Sequence, residues 1–397
     1  MVPREERLSQ EAVVKTPADW DVIVVGGGPA GAAFARTFRA LRPRARVLLV
    51  DRARFPRDKV CGDALTYQSV SLVREIFPEL SHLVPSASAT SRQVLWYPNG
   101  REVTRGGQQL DVIPRFLFDH ALWRAALDAG AQAMEGARAV RVLREGKRVA
   151  GVEIEDDKGA RLQLTADLVV RADGSASVVR RETGSLAADR IIFAVRQYVR
   201  GIPEATKGLI FFLDIEREGL FWIFPFVRDG ERWANVGYGN ARIGTKLRQI
   251  LQGYHDRPLV RRYLGDAEAV SGPKGFPLNL AHAGFPRRFR PARPIAGNGY
   301  ALVGDAAALI HPFSGEGIAF GLQSGRLAAE AFADASLGLE DKARAYQQRL
   351  IRFAAPLYCG LGAYLAIRLP VLLPPRLSDL YTRAGSLVGR HWRRADG

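Results

Sequence analysis

The sequence has little cysteine, since only Cys61 and Cys359 occur in 397 residues. Two cysteines cannot supply the several disulfide bonds of a small secreted domain, so the composition argues against a disulfide scaffold. It favours a reducing compartment, and we predict a cytoplasmic protein. A chain of this length can still bury a large core and form two or three domains.

Long apolar runs are also missing. The longest uncharged run, residues 353–367, contains Pro356 and two glycines. It is shorter than the ~20 residues that span a bilayer. The first twenty residues are charged and have no apolar core. Neither a transmembrane helix nor a signal peptide is therefore predicted.

Acidic residues are fewer than basic ones, 41 against 57, which gives a net charge of +16. The basic residues are mostly scattered arginines, without the aromatic-rich basic blocks typical of nucleic-acid-binding proteins. We therefore expect no nucleic acid as a partner. Anionic cofactors, acidic substrates or a membrane surface suit this charge better.

What is present is a glycine-rich segment, residues 21–31, with the sequence DVIVVGGGPAG. The four apolar residues before the glycines are typical of a buried parallel strand. Gly26 and Gly28 suit a tight turn that approaches a pyrophosphate, and Gly31 lets the next helix pack on the strand. Asp51 ends the following strand, where its carboxylate suits a ribose hydroxyl. This order of elements predicts a dinucleotide site at a helix N-terminus.

The rest of the chain divides into segments of two kinds. Residues 166–175 and 300–307 each contain a further buried strand followed by an acid and a glycine, whereas residues 191–238 alternate as in an antiparallel sheet with one wet face. We predict a nucleotide-binding domain at 18–92, 111–190 and 285–335, a substrate domain at 93–110 and 191–284, and a C-terminal helical region at 336–397. The smaller expected elements are a hairpin at 93–103, a helix from Pro114 to Asp128, strands at 138–144 and 149–155, a helix near 243–252, a short strand near 268–272 and a helix from 317 to about 335.

Three glycines recur in that last helix. Gly317, Gly321 and Gly325 are four residues apart, so they lie on one helical face. Each costs about 1 kcal/mol relative to alanine in an exposed helix. We therefore expect something flat or bulky to pack tightly against this face.

Several segments resemble a known family. Those that resemble the FAD-binding signatures of flavoproteins of the para-hydroxybenzoate-hydroxylase type are residues 26–31, Asp173-Gly174 and Gly304-Asp305. Those that resemble the geranylgeranyl reductase family are KVCGDAL at 59–65, WIFP at 222–225 and PFSGEG at 312–317. The match covers about residues 20–335, in order. It implies an α/β fold in which a Rossmann-type FAD-binding domain carries an inserted antiparallel β-sheet substrate domain and C-terminal helices.

The resemblance also implies roles for individual residues. Asp51 and Arg115 would contact the adenosine half of FAD, Asp305 the ribityl-pyrophosphate part, and Gly315–Gly317 the isoalloxazine edge. A helix N-terminus at that edge would place N–H donors beside the negative charge of reduced flavin. The expected cofactor-binding residues are Gly26, Gly28, Ala30, Gly31, Asp51, Arg52, Arg115, Asp173, Gly304, Asp305, Pro312, Gly315, Glu316 and Gly317. No metal site is expected.

The candidate catalytic residues are Cys61, Trp222, Phe224 and His311. Cys61 lies on the loop that continues from Asp51, and the family pattern puts it beside the flavin, where it would shape the site. The alternative is a small buried hydrophobe. His311 could donate a proton at neutral pH, but a histidine before a proline in a turn also suits a structural role.

Two further charged residues have alternative interpretations. Glu316 either belongs to the flavin site or caps the helix that follows it. Lys59 is either a solvated charge or pairs with a phosphate or with Asp58.

The strand that contains Trp222 and Phe224 bears on the substrate. Leu220, Trp222 and Phe224 lie on one strand face, which is either a core stripe or, as in the family, the lining of a prenyl-chain channel. The family commonly has tyrosine where Leu220 stands, so the identity of the substrate stays open.

The resemblance implies an FAD-dependent oxidoreductase. The most favoured reaction is the reduction of carbon–carbon double bonds in a prenyl or similar apolar substrate by hydride transfer from reduced flavin. The alternative is a flavin-dependent monooxygenase or halogenase that acts on an aromatic or natural-product substrate. Halogenases of this fold typically carry two tryptophans where Leu220 and Trp222 stand, so one is missing. The sequence has no second GxGxxG unit for NAD(P)H, so either NAD(P)H visits the flavin transiently or another protein is the reductant.

The C-terminal segment 351–373 is rich in leucine, alanine and tyrosine. One interpretation is that it covers the substrate cavity or rests on a membrane surface, with Arg352, Arg368 and Arg376 at anionic headgroups. The other is an ordinary packed helix pair.

Overall fold

The computed structural model describes residues 19–84, 93–97, 100–105, 111–174, 190–214, 216–217, 219–240, 246–280, 294–310 and 315–358. Within these residues the helices are α1 Pro29–Leu41, α2 Tyr67–Ile76, α3 Arg115–Asp128, α4 Leu247–His255, α5 Pro258–Leu264, α6 Ile318–Phe332 and α7 Leu339–Tyr358. Short 3-10 helices cover Pro78–Leu80 and Gly304–Ala307. The strands are β1 Trp20–Val25, β2 Val47–Asp51, β3 Ala64–Leu65, β4 Gln93–Trp96, β5 Glu102–Arg105, β6 Asp111–Val112, β7 Gln132–Glu135, β8 Ala137–Glu145, β9 Arg148–Asp156, β10 Arg161–Arg171, β11 Arg190–Arg200, β12 Leu209–Asp214, β13 Gly219–Arg228, β14 Glu231–Asn240, β15 Glu268–Ala269, β16 Lys274–Leu280, β17 Ala296–Gly297 and β18 Tyr300–Leu302.

The first sheet is organised around β1, the strand that precedes the glycine-rich turn. The neighbouring strands β18, β10, β1, β2 and β7 all run parallel. Residues from α1, α3 and α6 cover one face of this sheet, and the antiparallel pair β8 and β9 covers the other. Because parallel strands end at one edge, the residues that follow β1, β2 and β10 meet there. The predicted Rossmann-type domain is confirmed.

The second sheet has the strand order β15-β11-β14-β13-β12-β4-β5, with β16 also paired to β11. Its pairs are antiparallel except β12 with β4, which is parallel. The predicted antiparallel insert is therefore confirmed. The expectation of one wet face is wrong for its centre, because Asn235 on one face and Tyr238 on the other are both fully buried. Helices α4 and α5 cover the Tyr238 face.

The predicted small elements agree with the structure in most places. The helix after Pro114, the hairpin at 93–103 and the ribbon formed by β8 and β9 are confirmed. Helix α4 extends to His255, beyond the predicted end at 252, and neither α5 nor β16 was predicted. The boundaries of the domains stay predictions.

The glycine face of α6 packs on α1. A Cβ built on Gly325 would lie 2.3 Å from the carbonyl oxygen of Ala30, so the two helix backbones meet where a side chain is absent. A Cβ on Gly321 would lie 3.5 Å from Cβ of Ala30, an ordinary contact. The tight packing predicted for this face is confirmed for Gly325, and its partner is the helix that follows the glycine-rich turn.

Helix α7 begins the C-terminal region. Residues 359–397 lie outside the described residues, and most of the segment predicted to cover the cavity or contact a membrane falls there. None of the helices described is both long and apolar enough to cross a membrane.

Candidate active site

The N-terminus of α1 forms an open cradle at the edge of the first sheet. Gly28 is the N-cap residue, and no side chain among the described residues caps the helix there. A Cβ on Gly28 would contact only Nη2 of Arg57, at 3.3 Å, and Oδ2 of Asp119, at 4.0 Å. A Cβ on Gly31 would instead lie 1.9 Å from the carbonyl oxygen of Gly26. The cradle thus offers space, uncapped N–H groups and a nearby cation, which fit a pyrophosphate.

Asp51 lies beside this cradle and is 8% exposed. Its Oδ2 accepts a hydrogen bond from the N–H of Gly27 at 2.8 Å, and its Oδ1 accepts one from the N–H of Ala53 at 2.9 Å. A carboxylate oxygen has two lone pairs, so each can still accept a ribose hydroxyl. Arg52 points to solvent, and its role in binding stays a prediction.

A buried ion cluster lies next to the cradle on α3. Nε and Nη2 of Arg115 donate to Asp119 at 2.6 and 2.8 Å, and Nη1 of Arg57 donates to Asp119 at 2.7 Å. Burial acts to raise the pKa of Asp119, but the two guanidinium charges lower it below its ordinary value. Burial acts to lower the pKa of Arg115, but Asp119 and the side chain of Cys61 raise it by more. Arg115 therefore lies beside both the cradle and the loop of residues 52–63 that carries Cys61, which is called the cysteine loop below.

Lys59, on the cysteine loop, connects that loop to the segment Gly304-Asp305. Its ammonium group lies 3.0 Å from Oδ2 of Asp305, so the suggested pairing with Asp58 is wrong. Asp58 instead pairs with Arg196 and with Lys274 of the second sheet. A Cβ on Gly304 would lie 2.9 Å from Cβ of Ala30, which places this segment against the start of α1.

The segment before α6 also approaches Asp305. A Cβ on Gly317 would lie 3.3 Å from Oδ1 of Asp305. Helix α6 begins at Ile318, so Glu316 precedes the helix and the capping interpretation is wrong. The carboxylate of Glu316 accepts a hydrogen bond from Oγ1 of Thr66 instead. Burial raises the pKa of Glu316.

Asp173, Gly315, His311 and Pro312 are further residues that were expected at the site. Asp173 follows β10 and is paired with the fully buried Arg171 at 2.6 Å. Gly315 has a φ of 69°, which favours glycine. His311 and Pro312 lie outside the described residues. The binding and catalytic roles of all these residues stay predictions.

An apolar face of the second sheet lies against the cysteine loop. Trp222, Phe224 and Leu209 form a buried cluster there, and the ring of Phe211 packs edge-on against Phe224 with centroids 5.1 Å apart. A Cβ on Gly62 would lie 3.0 Å from Cε2 of Phe224. The cysteine loop therefore lies directly on this face.

Four polar residues that hold these parts together were not predicted from the sequence. Arg57 and Asp119 pair beside the cradle, and Asp63 and Asn235 pair at 2.8 Å between the cysteine loop and the second sheet. The spacing of Arg115 and Asp119, four residues apart on one helix, was a usable signal for that pair. The other pairs join distant segments and have no local signal.

Comparisons with known proteins agree with this geometry. Residues 19–350 match the family described as "FAD binding domain". The chain is 32% identical over 327 residues to digeranylgeranylglycerophospholipid reductase 2 of Methanopyrus kandleri, which covers 80% of this chain and 78% of that protein. It is also 32% identical over 379 residues to the menaquinone reductase of Mycobacterium tuberculosis, with 89% and 84% covered. The chain belongs to the geranylgeranyl reductase family. It is thus an FAD-dependent oxidoreductase.

Two solved structures have the same fold as this chain. A geranylgeranyl bacteriochlorophyll reductase-like protein from Thermoplasma acidophilum has a TM-score of 0.73 at 23% identity, with 91% of this chain and 90% of that chain covered. The myxobacterial chondrochloren halogenase has a TM-score of 0.69 at 23% identity, with 88% and 83% covered. At this identity the likeness concerns the fold, so the halogenase does not favour halogenation here. No group of three or more potential metal ligands converges within the described residues.

Proposed function

We propose that this chain reduces carbon–carbon double bonds in the isoprenoid chain of an apolar substrate, with FAD as its redox cofactor. The observation that carries the proposal is the contact of the cysteine loop with the aromatic face of β13. Gly62 lies against Phe224 and Trp222, with would-be Cβ distances of 3.0 Å and 3.7 Å. A loop that leaves the cofactor domain therefore ends on a wall of large apolar groups, which suits a hydrocarbon chain.

The names of the relatives support this choice. One is named as a reductase of a digeranylgeranylglycerophospholipid and another as a reductase of menaquinone. Geranylgeranyl groups are long, apolar and contain alkenes, which is the chemistry that the aromatic face would accommodate.

The residues divide into a cofactor side and a substrate side. Gly26, Gly28, Gly31 and the N-terminus of α1 would hold the pyrophosphate, and Asp51 the ribose. Bound FAD would supply the hydride chemistry. Arg57 and Arg115 bring positive charge to the cofactor, while Trp222 and Phe224 orient the substrate and exclude water. Cys61 lies between the two sides, where a small side chain shapes the site.

The reductant is NAD(P)H that visits the flavin transiently, or a partner protein. The sequence has no second dinucleotide motif, which supports a donor without a built site of its own. Stopped-flow reduction of the bound FAD by NADH, by NADPH and by a reduced ferredoxin would identify the donor.

The test of the reaction is its dependence on oxygen. The FAD enzyme is reduced chemically without O₂ and mixed with a geranylgeranyl lipid that carries no quinone, and flavin reoxidation is followed together with product mass. A gain of two hydrogens per alkene without O₂ supports the proposal. If reoxidation and product both need O₂, and the mass rises by oxygen or by a halogen, the enzyme is a monooxygenase or halogenase instead.

We also propose a cytoplasmic protein that associates peripherally with membranes through residues 351–373. The support is the apolar composition of this segment together with Arg352, Arg368 and Arg376. The full-length protein should float with anionic liposomes at low salt and stay behind at high salt. The matched variant changes the three arginines to serine, and equal flotation of both proteins contradicts the proposal.

A further inference from the structure

The side chain of Asn235 binds three groups where the cysteine loop packs on the second sheet. Asn235 lies on β14 and is fully buried. Its Oδ1 accepts a hydrogen bond from Nε1 of Trp222 at 3.0 Å. Its Nδ2 donates to the carbonyl oxygen of Cys61 at 2.7 Å and to Oδ2 of Asp63 at 2.8 Å. Both N–H donors of the amide are therefore used, and they are used on the cysteine loop.

Asp63 is fixed at both its backbone and its side chain. Its φ is 64°, a left-handed conformation that aspartate tolerates better than most residues. Its carbonyl oxygen accepts a hydrogen bond from the N–H of Ile113 at 3.0 Å. The hydroxyl of Tyr198 donates to Oδ2 of Asp63 at 2.5 Å, so this one oxygen has two donors from the second sheet.

These contacts continue on the cofactor side. The side chains of Asp119 and Cys61 both raise the pKa of Arg115, so its guanidinium lies near both, and it donates to Asp119 beside the cradle. Hydrogen bonds thus lead from Trp222 through Asn235 to the backbone of Cys61 and to Asp63, and Arg115 lies near the same loop. Networks of buried hydrogen bonds rigidify a site. Here Oδ2 of Asp63 has its donors, whereas Oδ1 is buried without a hydrogen-bond partner among the described residues.

We propose that Asn235 and Asp63 are positioning residues for the reaction: they lock the indole of Trp222 on the substrate side to the backbone of Cys61 on the cofactor side. This inference rests on the proposed function, because it assumes that Trp222 faces the substrate. It goes beyond that function by naming what aligns the substrate side with the cofactor side. That unit, called the clasp below, consists of Asn235, Asp63 and the groups they bind, Trp222, Tyr198 and the carbonyl of Cys61.

The first test removes the clasp. Asn235→Ala leaves the carbonyl of Cys61 and the N–H of Trp222 without their shared partner. The indole of Trp222 then shifts relative to the cysteine loop, and we expect kcat to fall by about 10- to 100-fold. FAD content stays stoichiometric, because the cradle is untouched. The matched control is Tyr238→Phe, which removes a 3.1 Å hydrogen bond to Asp214 from the same strand on its opposite face. The control keeps kcat within about 2-fold of the wild type.

A readout without substrate separates this inference from the proposed function. Hydrogen exchange of the FAD-bound protein is followed by mass spectrometry in peptides that contain Cys61 and Trp222. In Asn235→Ala, exchange rises in both peptides together, and in Tyr238→Phe it does not. If the wild type reduces no prenyl alkene, the proposed function fails, whereas unchanged exchange in Asn235→Ala overturns the clasp alone.

Charge and pH give a second test. Asn235→Asp keeps the shape but removes the donors and places a second carboxyl beside Asp63. The other titratable and charged groups around Asp63 are Tyr198 and Arg196 from β11 and Arg115 from α3. Two adjacent carboxylates repel unless they share a proton. The kcat of the variant relative to wild type therefore rises at least about 5-fold from pH 8 to pH 5.5.

The double variant completes a thermodynamic cycle. Adding Asp63→Asn to Asn235→Asp removes the repulsion between the two carboxyls, so the double variant is about 10-fold more active at pH 8 than Asn235→Asp alone. It stays less active than the wild type, because the carbonyl of Cys61 still lacks a donor from residue 235. A structural role without positioning predicts additive losses. Additive losses, a flat pH ratio or a kcat for Asn235→Ala close to wild type would each overturn the inference.

Discussion

The indole of Trp222 occupies the space that a side chain on Gly237 would need. A Cβ built on Gly237 would lie 2.1 Å from Cζ2 of the indole. The two residues are direct partners on β13 and β14. The missing side chain at Gly237 lets the indole lean across β14, where its N–H reaches Oδ1 of Asn235. The orientation of Trp222 thus depends on a glycine in the neighbouring strand.

Gly237→Ala should displace Trp222 while leaving the cofactor bound. The new methyl group overlaps the ring, and the hydrogen bond to Asn235 breaks when the ring moves. We expect kcat/KM for the prenyl substrate to fall at least about 10-fold, with FAD content unchanged. The matched control is Gly239→Ala, whose Cβ would lie 3.4 Å from Cβ of Ala194, an ordinary contact. Equal activity of the two variants contradicts this prediction.

Gly28→Leu should abolish FAD binding without unfolding the protein. A Cβ on Gly28 meets no backbone, only the side-chain ends of Arg57 at 3.3 Å and Asp119 at 4.0 Å, so the chain can fold. The leucine side chain would fill the space in front of the α1 N-terminus, where the pyrophosphate is expected. The purified variant should be colourless with a normal far-ultraviolet circular dichroism spectrum. Gly253→Leu is the control, since nothing lies within 4 Å of a Cβ there, and it should stay yellow.

The carboxyl of Asp63 should make stability depend on pH. Burial raises the pKa of Asp63 from 3.8 to about 6. Between these values the folded protein holds a proton that the unfolded chain has lost. The contribution of Asp63 to stability is therefore largest below pH 3.8 and falls as pH rises to 6, where it levels off. The total effect is about 3 kcal/mol, of which about 2 kcal/mol falls between pH 4.5 and 7.

Asp63→Asn removes this titration while keeping the shape of the side chain. Urea unfolding at pH 4.5 and pH 7 should show the wild type losing about 2 kcal/mol relative to Asp63→Asn as the pH rises. Tyr238→Phe serves as the control and should run parallel to the wild type. A constant difference between wild type and Asp63→Asn would show that Asp63 does not titrate in this range.

Gly325→Ala should destabilise the first domain, and Gly321→Ala should not. At Gly325 the added methyl group would lie 2.3 Å from the carbonyl oxygen of Ala30, a backbone atom of α1 that cannot yield easily. We expect a cost of about 1–3 kcal/mol, seen as a lower melting temperature. At Gly321 the nearest atom is 3.5 Å away, and the better helix propensity of alanine should leave stability equal or slightly higher. Equal melting of both variants contradicts this packing account.

The cofactor half of the molecule was predictable because its signals are local. The apolar strand, the turn glycines and the acid at the end of β2 follow one another within 31 residues, Asp21 to Asp51. Each requirement there concerns one turn or one strand end, and parallel strands bring such ends to one edge. The alternation in 191–238 likewise indicated an antiparallel sheet, since strand periodicity is also local.

The hydrogen-bonded and ionic partners around the cysteine loop could not be predicted, because they come from segments far apart in the chain. Asn235 and Asp63 are separated by 172 positions, and Lys59 and Asp305 by 246. No periodicity specifies the register between such segments, so Asp305 was not among the alternatives suggested for Lys59. The glycines of α6 are an intermediate case: their spacing predicted a close neighbour, and only the packing of α1 showed which one.

The order of strands, turns and helices that makes a dinucleotide cradle was predictable from the amino-acid sequence, because those elements depend on nearby residues. Only the tertiary structure showed which side chains surround the cysteine loop. A buried polar group must find its partner wherever the folded chain supplies one. For Asn235 those partners are Trp222 on the next strand and Cys61 and Asp63 on the loop from the other sheet.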